Sequence, residues 1–445
     1  MRHHVYRSHW RRIAYGAAAA GLLAVSPAAA ELLGHGGAVR GVDVSPDGRR
    51  VVTASFDYTV ILWDLERQTK LKSLDAHEGA VNAVAILPDG ARAVSAGDDG
   101  TLRLWDLESG SLIHTFEGRE GKIAAVAVSP DGRLAASAGW NRKVSVWDLE
   151  THGLVQTLDG HSDNVNAVTF SPDGERLLSG SYDGTLRLWQ VSDWSLLKTL
   201  RGHDFGVNAV SFFTDGDKAA SVSVDETVRI WNLAEGREAL VLQGHDGPVL
   251  GVAVSRDGRL IASGGLDRTV RVWDASTGEP VALLEGHFEP VWALAFSPDA
   301  RRLVSAGADE VVRVWDLETG REIGLKGMRF SGTDHAATWD DGSRGAALFR
   351  KCSACHTVTE DGGNKAGPTL YGVFGRRAGV VEGYSYSSAL TDSDVIWDDQ
   401  TIGDLFTVGP EEYAPGTKMP MQRMPSAEDR AELITFLKRI TAPQE

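Results

Sequence analysis

Residues 165–189 read VNAVTFSPDGERLLSGSYDGTLRLW, and the pattern within this stretch decides the fold. From Val165 to Ser171 apolar side chains alternate with small or polar ones, the period of a half-buried strand. Pro172-Asp173-Gly174 supplies a turn, and Arg176 to Ser181 is a second run. Tyr182-Asp183-Gly184 turns the chain again, Thr185 to Trp189 alternates, and Ser195 to Leu200 is a fourth run. Four short runs separated by turn residues make one antiparallel unit. The unit recurs. Trp63, Trp105, Trp147, Trp189, Trp231, Trp273 and Trp315 are spaced by a constant 42 residues, and all but Trp189 and Trp231 are followed by Asp. Turn residues Asp47, Asp89, Asp131, Asp173, Asp215, Asp257 and Asp299 keep the same step, as do Thr53, Ser95, Ser137, Ser179, Ser221, Ser263 and Ser305. A period this strict means one supersecondary unit copied seven times.

Over residues 31–327 the pattern resembles the WD-repeat family. The resemblance implies an all-β, seven-bladed propeller in which His161, Ser179, Asp183 and Trp189 form a hydrogen-bonded set. Buried polar groups must find partners, so such a set is structural rather than catalytic. His35, His77, His161, His203, His245 and His287 hold the histidine place, and Asp57, Asp99, Asp183, Asp225, Asp267 and Asp309 the aspartate place. The third blade departs, with Arg119 and Asn141, and is expected to be locally weaker. Only Glu31-Leu32-Leu33 precede Gly34-His35, so Arg321 to Leu325 is the favoured outer strand for closing the last blade. No blade has room for long loops or an odd cluster of ligands, which points to a binding platform. Phe56, Trp140, Tyr182, Leu266 and Trp292 are candidates for an apolar partner-binding patch, with ordinary blade packing as the alternative.

The first thirty residues read as a secretory signal peptide. Arg2, Arg7, Arg11 and Arg12 precede an apolar run from Ile13 to Val25, and Ala28-Ala29-Ala30 is a small-residue cleavage site. An uncleaved anchor is the alternative, but the run is short of the ~20 residues a span needs. A soluble periplasmic protein, with no membrane insertion after cleavage, is expected. The chain holds 45 Lys+Arg against 61 Asp+Glu. That acidity argues against nucleic acid and favours a partner with a basic docking face.

The only two cysteines stand in Lys351-Cys352-Ser353-Ala354-Cys355-His356. Cys-x-x-Cys-His attaches a c-type haem. Two thiols three positions apart can each form a thioether to a porphyrin vinyl group, and the following histidine reaches the iron. A thioredoxin-like pair is the alternative, but no βαβ context surrounds it. Attachment of this haem in bacteria takes place outside the cytoplasm, in agreement with the leader. Phe330 to Asp341, within a linker over 328–341, lacks periodicity. Beyond it the pattern turns helical: a helix from Ser343 into the haem motif, and a last helix capped by Ser426 with Asp429 three residues on.

Residues 342–445 thus read as a small all-α domain. Gly345 to Phe349, the haem motif, Gly367-Pro368-Thr369-Leu370, Gly372 to Arg376, Gly383 to Tyr386, Trp397 and Tyr413 to Met419 resemble class I cytochromes c. The resemblance implies one covalently bound haem c, with thioethers to Cys352 and Cys355 and with His356 and Met419 as axial ligands. It implies that the Pro368 carbonyl orients His356, and that Arg376, Tyr386 and Trp397 hold a haem propionate. It also implies packing of Gly345 and Phe349 on Leu433 and Phe436. Met421, Met424, His114, His152 and His335 are competing distal ligands. A lysine ring at the haem edge is missing: Glu411-Glu412 precede Tyr413, and residues 340–445 carry 16 acidic and 11 basic residues. The expected function is electron transfer, with a redox protein partner docking through the propeller and the haem edge. An oxidoreductase subunit, or a haem-based sensor or scaffold, is the alternative. No catalytic residue is expected.

Overall fold

A computed structural model describes residues 31–32, 34–117, 121–323, 343–353, 356–360, 368–382, 384, 386–415, 417, 419, 424 and 426–442. The leader, Arg119 and the linker lie outside the described residues. Residues 31–323 form seven antiparallel sheets, six of four strands and a seventh of five. In blade four the order is Val165–Phe170, Arg176–Ser181, Thr185–Gln190, Leu196–Arg201, each strand pairing with the next. The innermost strand of every blade carries one unpaired residue near its start, as between Val165 and Ala167. Such a bulge sharpens the strand's twist. The core lies between blades: Trp189 packs with Ala136, Val146 and Val168, and Trp231 with Leu178 and Leu188.

Each blade tryptophan is also a donor. Trp189 Nε1–H donates to Ser179 Oγ at 3.0 Å, and the same bond recurs in all seven blades, to Thr53 in the first. Ser179 Oγ stands 2.8 Å from His161 Nε2, and His161 Nδ1 is 2.9 Å from Asp183 Oδ2. One neutral tautomer satisfies the chain: Nδ1–H donates to the carboxylate, and Nε2 accepts the hydroxyl proton. Blade three keeps only the bond from Trp147 to Ser137. Asn141 Oδ1 accepts from Lys143 N at 3.1 Å, and no imidazole reaches Ser137 among the described residues. One hydrogen bond is worth about 1 kcal/mol, or roughly fivefold in an opening equilibrium. Strands Leu134–Gly139 and Val144–Asp148 are therefore expected to exchange amide hydrogens at least about fivefold faster than their counterparts in blade four. Equal protection in the two blades would remove this account.

Ring closure differs from the expectation that the C-terminal segment alone supplies the outer strand. Both ends of the propeller contribute. Glu31 and Leu32 pair with Arg313 and Val312, while Arg321 and Glu322 pair with Asp316 and Trp315. Two short pieces thus share the edge of one strand. Glu322 also pairs with Arg313 at 3.1 Å, and Gln68 Nε2 of blade one donates to Ile323 O at 3.1 Å.

The C-terminal region holds α1 (Arg344–Ser353), α2 (Ser388–Thr391), α3 (Asp399–Val408), α4 (Pro410–Tyr413) and α5 (Ala427–Thr441). Asp398 caps α3 in a reciprocal box with Thr401, and Ser426 Oγ accepts from Asp429 N at 3.2 Å to start α5. α1 crosses α5 closely because Gly345 lacks a side chain. A Cβ there would lie 2.5 Å from the Phe436 Cβ. Phe349 and Phe436 pack beside this crossing with ring centroids 5.7 Å apart.

Candidate functional site

α1 ends in the thiol motif, and the chain keeps turning. His356 N donates to Cys352 O at 2.9 Å, which sets the imidazole after the helix and beside a cleft. His356 Nδ1 lies 2.7 Å from Pro368 O. A carbonyl only accepts, so Nδ1 carries the proton and Nε2 keeps the lone pair a metal requires. Apolar side chains line the cleft: Phe349, Leu370, Val373, Ile402, Phe406 and Leu437 among them. Met419 lines it as well. The backbone N–H of Met419 donates to Thr417 Oγ1 at 3.3 Å, and Thr417 N donates to Ala414 O at 3.0 Å. Met424, like Met419, packs against the helix core, but it is not among the residues lining the cleft; its N–H is bonded to Phe406 O at 2.8 Å. Cys355, Met421 and His335 lie outside the described residues.

Arg376, Tyr386 and Trp397 all line this cleft. Arg376 donates to Tyr371 O at 2.8 Å and to Thr369 O at 2.6 Å. Burial pushes its guanidinium below the ordinary arginine value, and no carboxylate pairs with it among the described residues. A half-buried cation without a protein anion suits a bound carboxylate. Burial likewise raises Tyr386, partly offset by Arg376. Trp397 N donates to Arg376 O at 2.9 Å, and its ring stacks on Tyr413 at 6.2 Å. Burial raises the Tyr413 phenol, and the charges of Asp404 and Asp398 raise it further. The donor set fits a covalently held haem. It offers a buried thiol, a lone pair on an oriented imidazole, a thioether, apolar walls and a cation bonded to backbone carbonyls but to no carboxylate among the described residues. An imidazole lone pair and a thioether would suit iron that changes oxidation state.

On the propeller Trp140, Tyr182 and Trp292 of the five candidate contact residues line one channel, Phe56 leans on Trp292, and Leu266 is exposed. Trp292 and Phe56 lean together at 5.5 Å, with the Arg40 guanidinium 4.6 Å over Trp292 and 6.0 Å over Phe56. Trp140 lies under Lys122 at 5.2 Å. Trp140, Tyr182 and Trp292 line the mouth of a central channel of about 520 Å³. Leu266 is exposed on the next turn but one from Tyr182. Sequence reasoning missed Phe205 and Phe288, both exposed, because it followed only the turn between second and third strands. The loops that enter each blade carried the signal. His114 and His152, considered as iron ligands, stack on each other at 4.1 Å and 7° on the propeller. Burial lowers the His114 value, and His152 lowers it further.

Comparison with known proteins agrees with both halves. The family of the WD domain, G-beta repeat, matches at residues 28–64, 68–106, 110–148, 153–190, 194–232, 236–274 and 278–316. The Cytochrome c family matches residues 342–441. The cytochrome c of Gibberella zeae is 46% identical over 102 residues, which are 23% of this chain and 95% of that protein. The cytochrome c of Nigella damascena is 42% identical over 103 residues, 23% of this chain and 92% of that protein. That of Theileria parva is 42% identical over 103 residues, 23% and 88% respectively.

Proposed function

We propose, for a chain that belongs to the WD40-repeat family and whose C-terminal domain belongs to the cytochrome c family, the role of a periplasmic electron carrier that docks its partner through the propeller. The cytochrome c domain means a covalently bound c-type haem and haem-based electron transfer; the WD propeller means protein interaction. The finer reading concerns the ligands, the partner and the compartment. His356 and Met419 are the axial pair, with Pro368 holding the imidazole. Arg376, Tyr386 and Trp397 take a propionate. Periplasmic location rests on the leader and on where such haems are attached. Among the described residues no helix is long and apolar enough to cross a membrane.

The observation that carries this reading is the composition of the cleft. His356 and Met419 both line it, and the described residues of that domain bring no carboxylate and no second imidazole to it. When bound, the haem supplies one-electron chemistry. The chain holds the imidazole in one tautomer and surrounds the cleft mostly with apolar walls; the Asp57 carboxylate of the propeller, which also lines it, is bonded to His35 at 2.9 Å. The partner is a redox protein with a basic surface. From Ala378 to Thr417, the stretch that holds Tyr386, Trp397 and Tyr413, stand eight acidic residues and no Lys or Arg. Complementary charge chiefly raises the association rate.

Visible spectra of the oxidised and reduced protein, with and without carbon monoxide, test the ligation. A low-spin spectrum indifferent to carbon monoxide is expected. A high-spin spectrum, or one that carbon monoxide shifts, would turn the reading toward catalysis or sensing. Docking has its own test. The cytochrome domain has its own core, and relatives of nearly its length stand alone as whole proteins. Deleting residues 31–327 is expected to leave the spectrum unchanged and to slow electron exchange with the native partner by at least about tenfold, through lost effective concentration. Equal rates would sink the docking role.

A further inference from the structure

The mouth of the channel is not uniform. On one side the chain uses its own cations: Arg40 covers Trp292 and Phe56, and Lys122 covers Trp140 while pairing with Asp98. On the side of blades four to six the side chains are left open. Tyr182 is 51% exposed, Phe205 62% and Leu266 49%. Tyr182 in blade four touches the loop of blade five that carries Phe205; a Cβ on Gly206 would lie 2.8 Å from its ring. Asp163, Asp204 and Asp246 are exposed on the loops entering these three blades, and none makes an ion pair among the described residues. Arg268 is the one Lys or Arg on those loops and turns, and it points to blade seven, where Nη1 reaches Phe288 O at 3.5 Å. Inside the mouth, Asn166 and Asn208 each donate Nδ2–H to a backbone carbonyl one blade on, Val207 O at 3.3 Å and Val249 O at 2.8 Å. Their amide oxygens have no protein donor among the described residues, so they remain acceptors.

Apolar and aromatic side chains interleaved with unpaired carboxylates and amide acceptors suit one kind of occupant. We propose that the channel-mouth face of blades four to six takes an amphipathic segment of the redox partner that carries lysine or arginine between apolar side chains. The proposal rests on the reading above that the partner is basic. Apolar anchors would settle on Tyr182, Phe205 and Leu266, where aromatic contact area gives the affinity. Ammonium or guanidinium groups would meet Asp163, Asp204, Asp246 and the amide oxygens. A purely apolar segment would leave these carboxylates desolvated and unpaired, and an acidic one would be repelled.

The test uses the full-length holoprotein and a labelled peptide of Lys, Leu and Ser, read by fluorescence anisotropy. A peptide with Glu in place of Lys, and one with Ser in place of Leu, are compared. The Lys–Leu peptide is expected to bind, and each substituted peptide to bind at least about tenfold more weakly. The double variant Tyr182→Ser/Phe205→Ser and the triple variant Asp163→Asn/Asp204→Asn/Asp246→Asn should each weaken it by a similar factor. All five positions are exposed, so unchanged melting verifies the fold. Undiminished binding to both variants, or no binding to the native protein, overturns the proposal. So does binding lost instead through Asp392→Asn/Asp394→Asn, which would place the peptide on the haem domain. Electron exchange with hexaammineruthenium needs no docking segment and separates the two readings. Exchange that fails while the peptide still binds counts against the carrier alone. Normal exchange with variant-insensitive binding counts against the docking face alone.

Discussion

Taking the protein from pH 7 to pH 3 is expected to unfold the propeller. Six aspartates, Asp57, Asp99, Asp183, Asp225, Asp267 and Asp309, have carboxyls held below the ordinary value. Burial alone would raise each of them. Hydrogen bonds and charge from the partner histidine, with bonds from neighbouring hydroxyl and backbone groups, outweigh it. A depressed carboxyl contributes stability that is complete above the unfolded value, about pH 4, and is lost as pH falls toward the folded one. His77 acts in the same direction: burial lowers its value, so its share is lost as pH falls from about 6.5. Asp43 opposes them. Burial raises it to about 6 despite bonds from Ile86 N and Val44 N, so protonation between about pH 6 and 4 favours the fold. One group against six does not reverse the sign. The loss by pH 3 is several kcal/mol, comparable to the roughly 5–15 kcal/mol that hold a domain. Denaturant midpoints by tryptophan fluorescence from pH 7 to pH 3 measure it. A midpoint that stays level below pH 4 would mean that the His–Asp bonds add nothing to stability.

How much of this was legible in the sequence follows from the length of each signal. The tryptophan period was readable because each Trp both fills a core between blades and donates to a hydroxyl ten residues earlier. Both duties fix its position, so seven copies kept step. The haem motif was readable because covalent attachment leaves no freedom in its spacing. Ring closure was not, because pieces of two residues at each end carry no period, and each pairs with only part of one strand. The propeller's contact face was half legible. Phe56, Trp140 and Tyr182 stand out in register just before the aspartate place. Whether a ring is covered depends on Arg40 and Lys122, which reach them from a neighbouring blade or strand. Class I resemblance named Arg376, but its two bonds to Tyr371 O and Thr369 O come from the local turn and needed coordinates.

Met419→Ala is expected to convert the haem from low-spin six-coordinate to high-spin, with carbon monoxide binding where none occurred before. The argument starts from the other side of the iron. Pro368 O fixes the His356 tautomer, so that ligand stays in place whatever replaces the thioether. Met419 is the described thioether that lines the same cleft as His356, and Met424 is not among the residues lining it. Alanine leaves a gap that water can enter. A thioether favours the reduced metal, so its loss lowers the reduction potential, by some hundreds of millivolts within the ~0.8 V range that axial ligands span. Such a fall would reverse the direction of exchange with any partner of similar potential. Met424→Ala should leave both spectrum and potential close to native, at a cost of about 2 kcal/mol in stability through lost packing. Absorbance, carbon monoxide titration and equilibrium potentiometry on the two variants decide the matter. A native spectrum in Met419→Ala together with its loss in Met421→Ala would move the ligand two residues along the chain.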